Sequence, residues 1–364
     1  MSSMKPCIKL GFLDFWEGFD KHDNYFIDVL TPKYDLEITN DRPDFVIYSC
    51  FGQQFRNYRG IRIFFTGENV RPNFAECDYA FTFDYCNHPN HMRFPLWYMR
   101  ARWKPLSTKQ NFDPRQLLAQ KTKFCNFVYS NKLCPMRNRF FRKLSRYKRV
   151  DSAGRVFNNI GGRLGMQTTE KFDFMRPYKF TIAFENEGYL GYTTEKLYDA
   201  MLCDTLPIYY GNPRVNADFN SASFLNYHDY RNLDALLERV IEVDQDDDLY
   251  CHYMQQPWFA PGQVDGQNSE PVVARFDQIF STTKAPVAQQ SPSVRYLLTH
   301  PAHRAAAILK KKTVKVGRKI LYQIDRFQIE RFAPPSASKP RREYMSNGSG
   351  FAEPNALGTP TPFA

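Results

Sequence analysis

A chain of 364 residues with 43% hydrophobic content can bury two domain-sized cores, and no apolar run in it approaches the length of a membrane span. The net charge of +11 suggests nucleic acid until it is located: from Lys284 onward fourteen Lys and Arg meet four acidic residues, a net of +10, leaving +1 for the body and excluding a basic groove across the fold. The eight cysteines show no C-x-x-C and no framework spacing, and no signal peptide is evident before them, so the expected home is a reducing cytosol.

In chain order, residues 7–15 and 44–49 read as strands with a helix over 24–30 between them, and 61–66 and 78–83 give two more strands. This is the α/β alternation of a compact lobe. Open α/β sheets bind ligands at the carboxyl ends of their strands, and Glu68 stands just past such an end. It reads either as a turn carboxylate or as a catalytic one. Cys86, His88 and His91 form a cluster without further partners at zinc-type spacing, so they read as a polar loop rather than a metal site. The run Arg93-Phe-Pro-Leu-Trp97-Tyr98 carries rings suited to core packing or to the apolar faces of sugars.

Residues 101–120, with Pro105 and Pro114, read as the connection to a second lobe whose first strand is 123–129. A basic helix over 136–147 follows. Arg137 falls in its first turn, where the helix dipole disfavours a cation unless an anion is bound, and a guanidinium can grip phosphate oxygens in pairs. The other basic residues of this stretch, Arg139, Arg142, Lys143, Arg146, Lys148 and Arg149, read as a solvated face. The Gly161-Gly162-Arg-Leu-Gly165 turn lacks the dinucleotide fingerprint and reads as a loop.

The chain is organised around residues 184–211, FENEGYLGYTTEKLYDAMLCDTLPIYYG, flanked by strands over 180–184 and 205–210 with a helix over 194–203. A loop emptying into a helix N-terminus suits a phosphate, and Lys196 in the first turn is misplaced for the dipole unless something negative lies near it. Glu195 can accept sugar hydroxyls, Tyr192 offers a ring face and Asn186 an amide. The same pattern also describes an ordinary crossover with a solvated Glu-Lys pair. Asp244–Asp248 contains a formal D-x-D, but it follows an amphipathic helix over 233–242 instead of a strand and is expected to face solvent.

The run Phe184-Glu-Asn186, Gly191-Tyr192-Thr-Thr194-Glu195-Lys196-Leu197 and Pro207-Ile-Tyr-Tyr-Gly211 resembles the signature block of the α-1,3/4-fucosyltransferases, most closely their bacterial members. Thr66-Gly-Glu68-Asn69, Arg93-Phe-Pro95-Leu-Trp97 and Ser130-Asn131 with Arg137-Asn138 fall in that family's order, so the resemblance covers about residues 64–229. It implies the GT-B architecture, two Rossmann-like lobes facing a cleft: an acceptor-side lobe over 1–115 and a donor lobe over 116–280. It also implies inverting transfer of fucose from GDP-fucose to an N-acetylglucosamine-containing glycan, by an α-1,3 linkage on lactosamine-type chains such as those of Lewis antigens or lipopolysaccharide. Glu68 is then the base, Arg137, Asn186, Tyr192, Glu195 and Lys196 hold GDP-fucose, and His88, His91, Arg93 and Trp97 lie on the acceptor side. No metal and no cofactor are expected, because cationic side chains and a helix dipole stand in at the leaving diphosphate. The rival readings are a transferase of another GDP-sugar such as GDP-mannose, and a basic nucleic-acid binder.

Beyond Phe280 the composition turns to that of a linker, and residues 296–332 carry an apolar stripe of Leu309, Val316, Ile320, Ile324 and Phe327 flanked by lysines and arginines. The expectation for 281–332 is a linker and a basic amphipathic helix on the anionic inner face of a bacterial membrane, or docked on the protein's own body. Residues 333–364 read as disordered.

Overall fold

The computed structural model describes residues 4–106, 109, 112–165, 168–263 and 268–290. The first lobe is a six-stranded sheet of β1 (Cys7–Leu13), β2 (Asp35–Ile38), β3 (Phe45–Tyr48), β4 (Ile61–Phe65), β5 (Tyr79–Thr82) and β6 (His91–Arg93), ordered β2-β1-β3-β4-β5-β6 and parallel throughout. The second lobe is a five-stranded parallel sheet of β7 (Lys123–Phe127), β8 (Val150–Ser152), β9 (Tyr178–Phe184), β10 (Leu206–Tyr210) and β11 (Leu225–Asn226), ordered β11-β10-β9-β7-β8. These two parallel α/β sheets are the expected GT-B pair. Central strands such as β4 and β9 are buried along their whole length, which is why they appear in the sequence as largely apolar runs, interrupted by Arg62 in β4 and by Lys179 and Thr181 in β9.

Local chemistry fixes the elements that lead to the cleft. Asn24 caps the helix Tyr25–Leu30 through its side-chain oxygen, which accepts from the N–H groups of Phe26 and Ile27. That helix buries Tyr25, Phe26, Val29 and Leu30 against the first sheet. Between β9 and β10 the helix Glu195–Leu202 seats Leu197, Tyr198 and Met201 in the second core.

Two helices exchange sides. The helix Trp97–Trp103 follows the first sheet, yet Trp97 and Ala101 lie in the core of the second lobe. The helix Glu270–Phe280 comes from the second lobe and buries Val272, Phe276 and Ile279 in the first, where Asp277 takes hydrogen bonds from Lys33 and Tyr34. Strands β1–β6 precede residue 115 and β7–β11 follow it, while this last helix, within the 116–280 lobe expected from the sequence, packs in the first core, because its spacing shows an apolar stripe and not its target.

The chain stays on the first lobe after that helix. Val287 donates its N–H to Asp78 at 2.6 Å and Gln289 donates to the carbonyl of Arg59 at 3.1 Å, so residues 287–289, expected as linker, are bonded to the first lobe. Residues 291–364, with the expected amphipathic helix at 296–332, lie outside the described residues. Among the described residues no helix is long and apolar enough to cross a membrane.

Candidate active site

The carboxyl ends of β4 and β9 bring the two signature stretches together. Glu68 follows β4 by three residues, in a turn where its N–H donates to Thr66 Oγ1 at 2.9 Å. Its side chain opens to the cleft, but protein atoms crowding the carboxyl still strip part of its hydration and raise its pKa above the ordinary range. Lys196 opposes that rise and Glu195 adds to it, so both charges of the second lobe are felt at the first-lobe carboxylate.

Lys196 sits at the base of the opposite wall. Its ammonium lies 3.2 Å from Glu185 and 3.5 Å from Glu195, and it donates to Thr194 Oγ1 at 2.8 Å. Burial works against its charge, but Glu185 and then Glu195 outweigh it and hold the pKa well above an ordinary lysine. Burial also pushes at Glu195, yet Lys196, Lys171 and Arg100 prevail and keep its carboxyl down at about 2. Glu185 is fully buried and takes the Thr194 N–H at 2.7 Å as well as the Thr194 hydroxyl, so it anchors the start of the helix Glu195–Leu202. The misplacement of Lys196 read from the sequence is therefore answered inside the protein. Glu185 is legible in the Phe-Glu-Asn triplet, but nothing in the sequence shows that β9 delivers it beneath the lysine.

The lobes are joined just beside this cluster. Asn69 donates to Glu187 at 2.8 Å across the cleft floor. Arg71 lies 3.4 Å from the ring centre of Tyr189 in the second lobe and 4.4 Å from that of Phe83 in the first, and pairs with Asp84 at 3.2 Å. Gly191 has a left-handed backbone (φ 84°), and a Cβ there would stand 2.3 Å from the Phe83 carbonyl oxygen. Only glycine allows that approach of the two lobes.

The comparisons with known proteins match both halves of this arrangement. The signature of the alpha-(1,3)-fucosyltransferase FucT N-terminal domain matches residues 10–100, and that of the glycosyltransferase family 10 (fucosyltransferase) C-terminal part matches 118–274, together well over half of the chain. The chain belongs to the fucosyltransferases of glycosyltransferase family 10. Alpha-(1,3)-fucosyltransferase FucT of Helicobacter pylori is 31% identical over 281 residues, covering 66% of this chain and 58% of that relative. This family 10 chain thus spans under two thirds of the length of that relative. A crystal structure of an alpha1,3-fucosyltransferase with GDP superposes with a TM-score of 0.67 at 27% identity, over 80% of this chain and 95% of that one. The structure with GDP-fucose gives 0.65 at 26% identity, over 78% and 94% of the two chains.

In this family 10 chain the expected donor residues cluster, though not all face the cleft. Arg137 is fully buried, stacked 3.8 Å from the ring centre of Tyr129, and donates to Asn186 Oδ1 at 3.0 Å. It reaches the cleft through Asn186 and through its charge, since no part of the guanidinium is open. Tyr192 is buried against Phe83 with ring centres 4.9 Å apart, so its face is covered. Its phenol is pushed far up, first by burial and next by Glu185, and it also feels Lys196, Glu68 and Glu195.

The acceptor-side expectation needs correction at three positions. Trp97 has no exposed surface and packs on Tyr198, Phe219 and Phe259, so it offers no ring to a sugar. His91 is buried at the edge strand β6, bonded to Thr82 Oγ1 at 2.9 Å, with a pKa lowered to about 4 by burial, then by the positive charges of His88, Arg275 and Arg93. Arg93 crosses to the second lobe and grips Asp218 with two donors at 2.9 and 2.6 Å. Strand β6 explains His91 and Arg93, turning that stretch into a sheet edge and a lobe clamp, while Trp97 begins the helix Trp97–Trp103, which packs into the second core. His88 is half-buried, with one face covered by Phe74 at 3.6 Å. The acidic run faces solvent as expected at Asp246, Asp247 and Asp248, with Asp246 capping the following helix; only Asp244 departs, its side chain 4% exposed and taking Tyr147, Lys148 and the Lys179 ammonium.

The clamp gives a stability prediction. Arg93→Ala leaves Asp218, 1% exposed, without its cation, and removing one partner of a buried pair costs about 3 kcal/mol or more. Urea unfolding should show that loss, and Arg93→Ala with Asp218→Asn should recover much of it. Equal midpoints for the parent and the single variant would mean the clamp carries no stability.

Proposed function

We propose that this chain is an inverting fucosyltransferase that moves fucose from GDP-fucose to a hydroxyl of an N-acetylglucosamine-containing glycan. The observation that carries the reading is the meeting of Glu68 from one lobe with Lys196 and Glu195 from the other, in a chain of this family. In one displacement the Glu68 carboxylate takes the proton from the acceptor hydroxyl, its oxygen attacks the anomeric carbon, and the bond to the β-phosphate breaks as GDP departs. Lys196 offsets the charge growing on the leaving diphosphate, with Arg137 supporting it from behind Asn186. Glu195 stays ionised at neutral pH and accepts from sugar hydroxyls.

Radiolabelled GDP-fucose offered with type 1 and type 2 lactosamine acceptors tests this directly. Product should form with at least one acceptor, GDP should raise the melting temperature, and single-stranded oligonucleotide should not. Transfer from GDP-mannose in place of GDP-fucose would hand the site to the rival donor.

For the tail the support is charge alone. Residues 291–364 hold thirteen Lys and Arg against four acidic residues, a net of +9, and each basic residue near an anionic bilayer contributes about 1 kcal/mol. We assign them a tethering role at the inner face of a bacterial membrane, where lipid-linked acceptors are built. Deletion of 291–364 should abolish pull-down on anionic vesicles while the GDP-induced thermal shift persists, and added salt should weaken binding by the full chain. Undiminished vesicle binding by the truncated chain would end this assignment.

A further inference from the structure

The loop that leads from β9 to the helix Glu195–Leu202 is pinned at both ends within its own lobe. At its start Asn186 accepts from Arg137, and near its end the Gly191 N–H donates to Asn212 Oδ1 at 2.7 Å. Between those anchors the loop reaches the first lobe twice. Glu187 accepts from Asn69 Nδ2 at 2.8 Å, and the Tyr189 ring centre lies 3.4 Å from the Arg71 guanidinium. Both receiving residues stand just after Glu68 in the chain.

The turn that receives this grip is itself tightly bonded. Thr66 Oγ1 accepts the Glu68 N–H and donates to the Glu68 carbonyl at 3.3 Å, and the Val70 N–H donates to that carbonyl at 2.6 Å, so a shift of Asn69 carries Glu68 with it. Arg71 is paired with Asp84 at 3.2 Å and donates to Asn69 Oδ1. Asn69 therefore uses both ends of its amide, Nδ2 toward a carboxylate and Oδ1 toward a guanidinium, and these two neighbours decide which end is which. An aspartate would set its charge against Glu187, and an alanine would bond neither partner.

We infer that Asn69 is a positioning residue for the transfer: through Glu187 it ties the turn of Glu68 to the loop of Asn186, and so sets the base against the donor. The inference rests on the functional reading above, which makes Glu68 the base and places Asn186 on GDP-fucose. Asn186 keeps its own anchor on Arg137 when the bond between Asn69 and Glu187 is cut. The effect of cutting that bond therefore falls on turnover and not on the nucleotide.

The test cuts the bond and then reverses it. Misplacing a reacting group by about 1 Å costs about a hundredfold, so in Asn69→Asp kcat should fall between about tenfold and a hundredfold, while KM for GDP-fucose and the GDP-induced thermal shift stay near parental. Glu187→Ala cuts the same bond from the loop side and should lower kcat alike. Asn69→Asp combined with Glu187→Gln rebuilds the bond in the opposite sense, the glutamine amide donating to the aspartate, with the local charge of the parent. That double variant should recover most of kcat, whereas a bond serving the fold alone would move the unfolding midpoint and leave kcat in place. Parental kcat in Asn69→Asp or in Glu187→Ala, or a loss in Asn69→Asp that Glu187→Gln fails to repair, overturns the positioning role and leaves the fucosyltransferase reading standing. Parent protein that transfers no fucose overturns the functional reading, and the positioning role falls with it.

Discussion

Glu68→Gln is expected to lower kcat/KM for fucosyl transfer by between about a hundredfold and ten-thousandfold, the span that a general base contributes, while GDP still raises the melting temperature as in the parent. The amide keeps the shape of the turn and cannot take the proton of the acceptor hydroxyl. On the proposed reading GDP is held by the opposite lobe, so the nucleotide should not sense the change. The pH profile adds a second readout. Dehydration raises the Glu68 pKa, Lys196 opposes it and Glu195 adds to it. Activity requires the ionised form, so kcat/KM should climb with pH through a value above the ordinary carboxylate range. Glu195→Gln removes a like charge and should move that acid limb downward. A Gln variant with near-parental turnover, or an acid limb indifferent to Glu195, would show that the base is another group.

What could be read from the sequence follows from where each signal resides. Buried parallel strands announce themselves as apolar runs, and β1, β3, β4, β5, β7, β9 and β10 all fall within two residues of expectation. The motif residues Glu68, Glu195 and Lys196 do converge, because each stands at the end of a strand or the start of a helix whose position the alternation dictates. The missed strands β2, β6, β8 and β11 are the four sheet edges, two to four residues long and without an apolar run to mark them. The acceptor wall implied by the resemblance becomes a clamp at Arg93, on β6, and a core ring at Trp97, on the helix that follows. Exchange of helices between lobes is equally silent, since the stripe of Val272, Phe276 and Ile279 would suit either core. Exposure is silent too: Trp97 and Trp16 look alike in a sequence, and only packing makes one a core residue and the other a surface ring.

Lys196→Met should combine two losses that can be separated. The first is at the nucleotide: a hydrogen bond from an ammonium to a charged acceptor contributes about 2 kcal/mol, so GDP affinity should weaken some thirtyfold, and transfer should fall further because charge on the diphosphate grows in the transition state. The second is structural. Glu185 has no exposed surface, and without Lys196 its remaining partners are the Thr194 N–H and hydroxyl. Stranding that carboxylate should cost about 3 kcal/mol at neutral pH. Burial already raises its pKa in the parent, and loss of the lysine raises it more. A carboxyl whose folded pKa lies above its unfolded value destabilises at pH above that folded value, and the penalty fades as pH falls toward the unfolded pKa. The stability gap between Lys196→Met and parent should therefore narrow in mild acid. Pairing Lys196→Met with Glu185→Gln removes the stranded charge, since a glutamine still accepts from Thr194. The double variant should recover most of the lost stability in urea unfolding yet bind GDP no better than Lys196→Met alone. Recovery of GDP affinity in the double variant would mean that Lys196 serves the fold and not the diphosphate, and no change in either quantity in Lys196→Met would remove it from both roles.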